Sequence, residues 1–157
     1  MIKNYILKNY ISFIFFIFII ILPINSQNAK EILIYADEIF YDKDNNLIGK
    51  GKAKVLYQNQ IINSELIIYN QKLKTITIPK SFKYRDEQNN LYFGTEGSFN
   101  TNFTNGTIKN VKVLLNDGSR IVGNKFQREE NIDIISKGVY SPCSSRIKIA
   151  NFMCPTW

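Results

Sequence analysis

The chain contains no histidine, only two cysteines, one tryptophan and four prolines among its 157 residues. Without an imidazole, neither Ser-His-Asp nor Cys-His catalysis can be assembled, and imidazole metal sites are excluded with them. The two cysteines, Cys143 and Cys154, do not form a Cys-x-x-Cys pair, which removes the common zinc spacing. No Gly-x-Ser-x-Gly elbow, P-loop or dinucleotide fingerprint occurs. Adjacent acids such as Asp37/Glu38 and Glu129/Glu130 remain, but neighbours on an extended strand point to opposite faces and make a poor catalytic dyad. These absences argue for a protein that is not an enzyme and holds no metal and no cofactor.

Acidic residues are also missing from the start of the chain, where the first is Glu31. Lys3 and Lys8 precede an apolar stretch, 11–22, interrupted only by Ser12, and Pro23 then leads into the polar stretch 24–29. An apolar core of about a dozen residues is short for a bilayer span, which needs about 20. The order of charge, apolar core, breaker and small residues matches a secretory signal peptide, residues 1–29, with cleavage after Ser26 or Ala29. An uncleaved N-terminal anchor is the alternative, and a lipoprotein anchor lacks its cysteine. Either route exports the rest, about 130 residues, enough for one domain with a core. Loss of Lys3 and Lys8 lowers the formal charge from +7 to +5. The remaining cations are scattered among acids rather than clustered along a phosphate track, so no nucleic-acid partner is expected.

Beyond the leader, Ile, Val, Tyr, Phe and Thr fill short segments that Asn, Asp and Gly punctuate. Strands are predicted at 32–42, 48–57, 61–69, 75–78, 82–85, 91–93, 98–102, 107–115, 119–127 and 132–140. Turns are predicted at 44–46, 58–60, 88–90, 105–106 and 116–118, where Asn-Gly and Asp-Gly supply positive φ. No helical stripe follows the leader, and an all-β fold of serial antiparallel hairpins is expected over 30–140.

A pattern also occurs twice, 28 residues apart. Residues 36–42 read Ala-Asp-Glu-Ile-Phe-Tyr-Asp and residues 64–70 read Ser-Glu-Leu-Ile-Ile-Tyr-Asn. Alternation places Ile39 with Tyr41, Ile67 with Tyr69, Val55 with Tyr57, Ile76 with Ile78, and Val111 and Val113 with Leu115 on common faces. Lys54, Lys112 and Thr77 then face outward. Two readings are open: these residues fill a sandwich core, or they line an apolar groove.

The first repeat, Ala36-Asp37-x-Ile39-x-Tyr41-Asp42 followed by Gly49 to Val55, resembles the OstA-type repeat of lipopolysaccharide-transport proteins. The second copy keeps the first half and departs in the second, where Thr75 to Pro79 replaces a glycine-containing strand. The ending, Tyr140-Ser141-Pro142-Cys143 and then Cys154-Pro155-Thr156-Trp157, is similar to the segment 141–157 position that closes the N-terminal domain of alphaproteobacterial LptD, the outer-membrane assembly protein. LptA and LptC, the bridge and inner-membrane components, share the repeat without this ending.

The resemblance implies an OstA-like β-jellyroll whose groove carries the acyl chains of lipid A, lined by the alternating residues named above. Each methylene kept from water is worth about 0.8 kcal/mol, so a multi-acyl lipid needs a continuous apolar track. The resemblance also implies edge-to-edge docking to an LptA-like bridge protein, with Ile32, Leu33, Ile34 and Tyr35 as the candidate edge; pairing of that strand inside the domain is the other reading. Cys143 and Cys154 are disulfide candidates, either with each other or, as in LptD, with barrel cysteines. Full-length LptD continues into a transmembrane barrel, so the expectation is a jellyroll at the periplasmic face of the outer membrane, or free in the periplasm. Its further partners would be a separately encoded barrel and an LptE-like lipoprotein. A free-standing bridge component, a truncated LptD gene fragment and a structural β-domain without lipid binding are the alternatives.

Overall fold

The computed structural model describes residues 31–130 and 132–142. Twelve strands form in chain order: β1 (Ile32–Tyr35), β2 (Glu38–Tyr41), β3 (Leu47–Tyr57), β4 (Gln60–Asn70), β5 (Thr75–Ile78), β6 (Phe82–Arg85), β7 (Leu91–Gly94), β8 (Glu96–Asn100), β9 (Asn105–Leu114), β10 (Arg120–Glu129), β11 (Ile132–Ser136) and β12 (Val139–Ser141). All pairings are antiparallel. β1 with β2, β5 with β6, β7 with β8 and β11 with β12 are each one run of chain interrupted at its middle. The remaining four strands pass through that midline unbroken. The result is an up-and-down meander of eight runs, each hydrogen-bonded only to its neighbours in sequence.

Every run is creased at its midpoint, and the sheet doubles back on itself. Layer I holds β2, β5, β8, β11 and the adjoining halves of the long strands, and layer II holds β1, β6, β7, β12 and the other halves. The crease has chemical markers. In β3 the register shifts between Lys50 and Ala53, where Gly51 has φ +77° and Lys52 φ 44°. Gly51 cannot carry a side chain there, since a Cβ would lie 2.8 Å from Asp37 Oδ2. The Asp37 amide in turn donates to the Gly51 carbonyl at 2.9 Å across the crease. Asn110, at φ 49° within β9, is of the residue type that best tolerates the left-handed region, and its amide donates to Thr95 Oγ1 at 3.2 Å. Pro79 lies at the crease between β5 and β6, where no ladder donor is needed.

Between the layers lies one core. Val55, Ile62, Ile67, Ile76, Ile78, Ile108, Val111 and Phe126 are fully enclosed, and each buried aliphatic side chain contributes about 1.5–3 kcal/mol relative to exposure. Tyr84 of layer II stacks on Phe103 with centroids 5.6 Å apart, and Phe99 of layer I meets both rings at 5.3 and 5.5 Å.

Several predicted strand ends move by one or two residues, and three elements differ more. The segments 32–42 and 132–140 each divide in two at the crease. The turn expected at Asn105-Gly106 falls earlier, over residues 101–104, and Asn105 opens β9. Phe103 takes the positive φ, 59°, because its ring is needed in the core, where it is 2 % exposed. Asn100 Oδ1 then accepts from the Asn105 amide at 3.0 Å and closes the loop. Two other turns share one construction. Asp42 Oδ1 accepts the Asn46 amide at 2.8 Å and Asp86 Oδ1 the Asn90 amide at 2.8 Å, with Asn45 and Asn89 in the left-handed region.

Candidate functional site

The two copies of the repeated pattern fold onto the same cross-strand rows of layer I. Ile39 pairs with Gly49 and Gly49 with Ile67; Tyr41 pairs with Leu47, Leu47 with Tyr69, and Tyr69 with Ile76. A period of 28 residues is therefore two runs of the meander, bringing the chain back in the same direction on the same face. Ile67 and Ile76 are fully buried, so Ile39 and Tyr41, on the same side of the sheet, also point between the layers. They are nevertheless 49 % and 58 % exposed, because among the described residues β2 is the outermost strand and no other element covers it. Across from them in layer II, Ile32 pairs with Tyr57 and Ile34 with Val55, and both isoleucines are half-buried. An inner apolar surface thus runs from the closed centre, at Val55, Ile67 and Ile76, out to an open end at Ile34, Ile39, Tyr41 and Tyr69.

The remaining candidates sit deeper. Ile78, Val111 and Val113 lie within the filled core, Tyr57 is buried beside Phe103, and Leu115 is half-buried at the rim. The far end of the meander is also open. Tyr140 pairs with Ile121, whose side faces inward, yet it is 58 % exposed. At β1, Ile32 and Ile34 face inward while Leu33 and Tyr35 are exposed on the outer face. The run β1–β2 is paired on one side by β3, and β11–β12 on one side by β10; among the described residues neither has a strand on its other side. Cys143, Cys154 and the leader 1–29 lie outside the described residues.

Where the free rims of the two layers meet, a polar cluster shuts the interior. Arg128, at an inward position of β10, forms a two-point ion pair with Asp133 of β11, Nε to Oδ1 at 2.7 Å and Nη2 to Oδ2 at 2.8 Å. Its other donors cross to layer II, reaching the hydroxyls of Tyr84 at 3.1 Å and Tyr92 at 3.3 Å. The guanidinium also lies 5.4–6.0 Å from the ring centroids of Phe126, Tyr92 and Tyr84. Tyr84 donates to Gln60 Oε1 and Tyr92 to Asp86 Oδ2, the latter at 3.1 Å. Burial pushes the Tyr84 hydroxyl up to about 12, partly offset by the Arg128 charge. Tyr92 is raised by burial and then by Asp86. Burial works against the Arg128 cation, but its hydrogen bonds to Asp133 and the charge interactions with Tyr84, Asp133 and Tyr92 together outweigh that, and its pKa rises.

Sequence reasoning left this cluster out, although alternation carried the signal: Arg128 shares the inward phase of Phe126, where a cation needs partners. Outside it opens a cleft of about 320 Å³ bordered by Asp86, Glu87, Glu130 and Asp133. Four carboxylates around one already paired guanidinium make a poor seat for a phosphate. The arrangement holds two layers together and offers no nucleophile or proton shuttle. Among the described residues no group of three or more acids or thiols is placed to hold a metal.

Sheet topology and the open-ended interior define the class: a creased, two-layer antiparallel β-jellyroll. No family model matches the sequence, and no curated protein matches it. Among solved structures, the chain is similar to LptH of Pseudomonas aeruginosa, described as the LptA homologous periplasmic component of the conserved lipopolysaccharide transport device. The TM-score is 0.55 at 14 % sequence identity, over 81 % of this chain and 90 % of that one. The fold is the OstA-like jellyroll expected from the repeat.

Proposed function

We propose that this protein is a non-catalytic lipopolysaccharide-transport jellyroll that receives acyl chains between its two layers. The observation that carries the reading is the open end, where Ile39 and Tyr41 face inward, remain half or more exposed, and continue directly into the buried row through Ile67. An inward apolar surface left in water costs roughly 25 cal/mol per Å², and an acyl chain laid along it would recover that cost. The similarity to LptH supports the same reading.

Both outermost runs present apolar side chains beside unpaired backbone, Leu33, Tyr35 and Phe40 at one end and Ile132, Ile134 and Val139 at the other. Strand addition at these edges, joining an LptA-like neighbour, is the docking mode such edges suit. The location proposed is the periplasm, after removal of residues 1–29. Within this reading the Tyr140-Ser141-Pro142-Cys143 motif supports an LptD-type domain working beside a barrel and an LptE-like lipoprotein, and the fold shared with LptH supports a bridge component. The test is photo-crosslinking in the full chain. A photoreactive side chain at Tyr41 or Ile67 should capture lipopolysaccharide, and one at the outward Phe40 should not. Absence of an adduct from both inward positions refutes the groove and leaves a structural β-domain.

A further inference from the structure

The outer faces of the two layers differ in charge in a way that the lipid groove does not use. On layer II the outward positions form two rows that cross the sheet in register. One row runs through Leu33, Leu56, Ile61, Arg85 and Leu91 and ends at Leu114 and Arg120. The other carries Lys54, Lys83, Phe93 and Lys112. Five cations therefore stand among leucines and aromatics, Lys112 and Arg120 of them already engaged in other interactions, and among the described residues no Asp or Glu occupies an outward strand position of this layer. The nearest acids among the described residues are at its margins, Glu31 just before β1, Asp37 and Glu65 at the crease, and Asp86, Glu87 and Asp117 in the rim turns. Lys83 Nζ lies 5.8 Å from the Phe93 ring centroid, and two shallow depressions of about 440 and 180 Å³ lie between these side chains.

Layer I is built differently. Its outward cations are balanced by acids, with Lys50 paired to Glu38 at 3.4 Å and Lys109 to Glu96 at 2.6 Å. Lys125 and Glu129 complete its charges, and the centre is Thr75, Thr77, Ser98 and Thr107, short neutral hydroxyls. Both outer faces carry apolar side chains, Phe40, Leu66, Ile68 and Ile134 on layer I among them, but the charges of layer I are balanced while layer II carries an excess of cations.

We infer that the outer face of layer II docks on an anionic lipid headgroup surface. Cations interleaved with leucine and phenylalanine match the boundary of a bilayer, where aliphatic stems lie against acyl carbons while the charged ends reach phosphate. A duplex nucleic acid would satisfy the cations and leave Leu33, Leu91 and Phe93 against water. Each cation close to an anionic bilayer strengthens partitioning about fivefold. This inference stands apart from the groove, since it uses the opposite side of the layer.

The test is co-sedimentation of the full chain with vesicles of equal parts phosphatidylglycerol and phosphatidylcholine, with two triple variants of equal net charge. Lys54→Gln, Lys83→Gln, Arg85→Gln removes three cations from layer II and should weaken binding about a hundredfold. Lys50→Gln, Lys109→Gln, Lys125→Gln removes three from layer I and should leave it within about threefold, any contribution of the leader being common to both. Equal losses from the two variants, or no loss from the first, overturn the inference. So does duplex DNA bound as tightly as the vesicles. Wild-type binding should also fall as salt is raised, a readout that needs no variant to fold; salt-independent binding refutes the electrostatic basis.

Discussion

The Arg128 cluster makes a quantitative prediction. Arg128→Met keeps the aliphatic stem against the Tyr84, Tyr92 and Phe126 rings and deletes four hydrogen bonds, two to Asp133 and one to each tyrosine hydroxyl. Removing one partner of a fully buried pair costs about 3–5 kcal/mol. Here the Arg128 side chain is 13 % exposed and that of Asp133 is 39 % exposed, so the stranded carboxylate regains water. The tyrosines keep Gln60 and Asp86 as partners. A loss of roughly 2 kcal/mol is therefore expected, or about 8 °C in Tm for a domain of this size. Urea unfolding measures it directly, and the slope of the transition carries a second answer. If the cluster is what shuts the rim, the variant exposes less new surface on unfolding and its slope decreases. Asp133→Leu combined with Arg128→Met should recover most of the loss, because no charge is left without a partner. A neutral single variant, or strictly additive effects in the pair, would refute the assignment of the cluster as the closure.

Two further outcomes follow from the same core. Tyr84 titrates at about 12 in the folded protein against 10.0 ordinarily, a raised value, so its contribution is fully present below pH 10 and is lost as pH rises through 12. Tyr84 should account for a drop of about 2–3 kcal/mol over that window, Tyr92, also raised, should add its own, and Tyr84→Phe should remove Tyr84's share alone; phenolate absorbance rising at the ordinary pH for every tyrosine would contradict it. Gly106→Ala would place a Cβ 2.2 Å from Phe99 Cδ1 and 3.0 Å from the Ser98 carbonyl, and Phe99 is 1 % exposed and cannot retreat. A cost of about 2 kcal/mol by thermal melting is expected, and an unchanged Tm would show that the ring is looser than its packing suggests.

Much of the fold was legible in the sequence because hairpins are local. Turn chemistry at Asp42, Asp86 and Gly118, together with period-2 alternation, is enough to order the runs. The crease was not legible. It is set by contacts between neighbouring runs at the crease, such as Asp37 with Gly51 and Asn110 with Thr95, between residues 14 or 15 apart. The Asn105-Gly106 turn misled for a related reason, since burial of Phe103 outweighed the intrinsic preference of Asn-Gly. For the candidate site, alternation places Ile39, Tyr41, Val55 and Ile67 on the inner side. Whether that side is filled or open depends on position along the meander, which no strand encodes by itself. Arg128 was overlooked because a cation in the polar stretch Lys125-Phe126-Gln127-Arg128-Glu129-Glu130 reads as surface until Tyr84, Tyr92 and Asp133 are brought around it.

Pairing of each run only with its sequence neighbours has a consequence of its own. Backbone pairing in such an array is a sum of terms between successive units, as in solenoid repeats, to which contacts between the layers such as Arg128 with Tyr84 and Tyr92 add. A chain of this kind has no preferred number of runs, since the last one offers to the next what the first one received. Growth by whole units leaves the existing pairings untouched, and loss of a terminal run shortens the array without dissolving it.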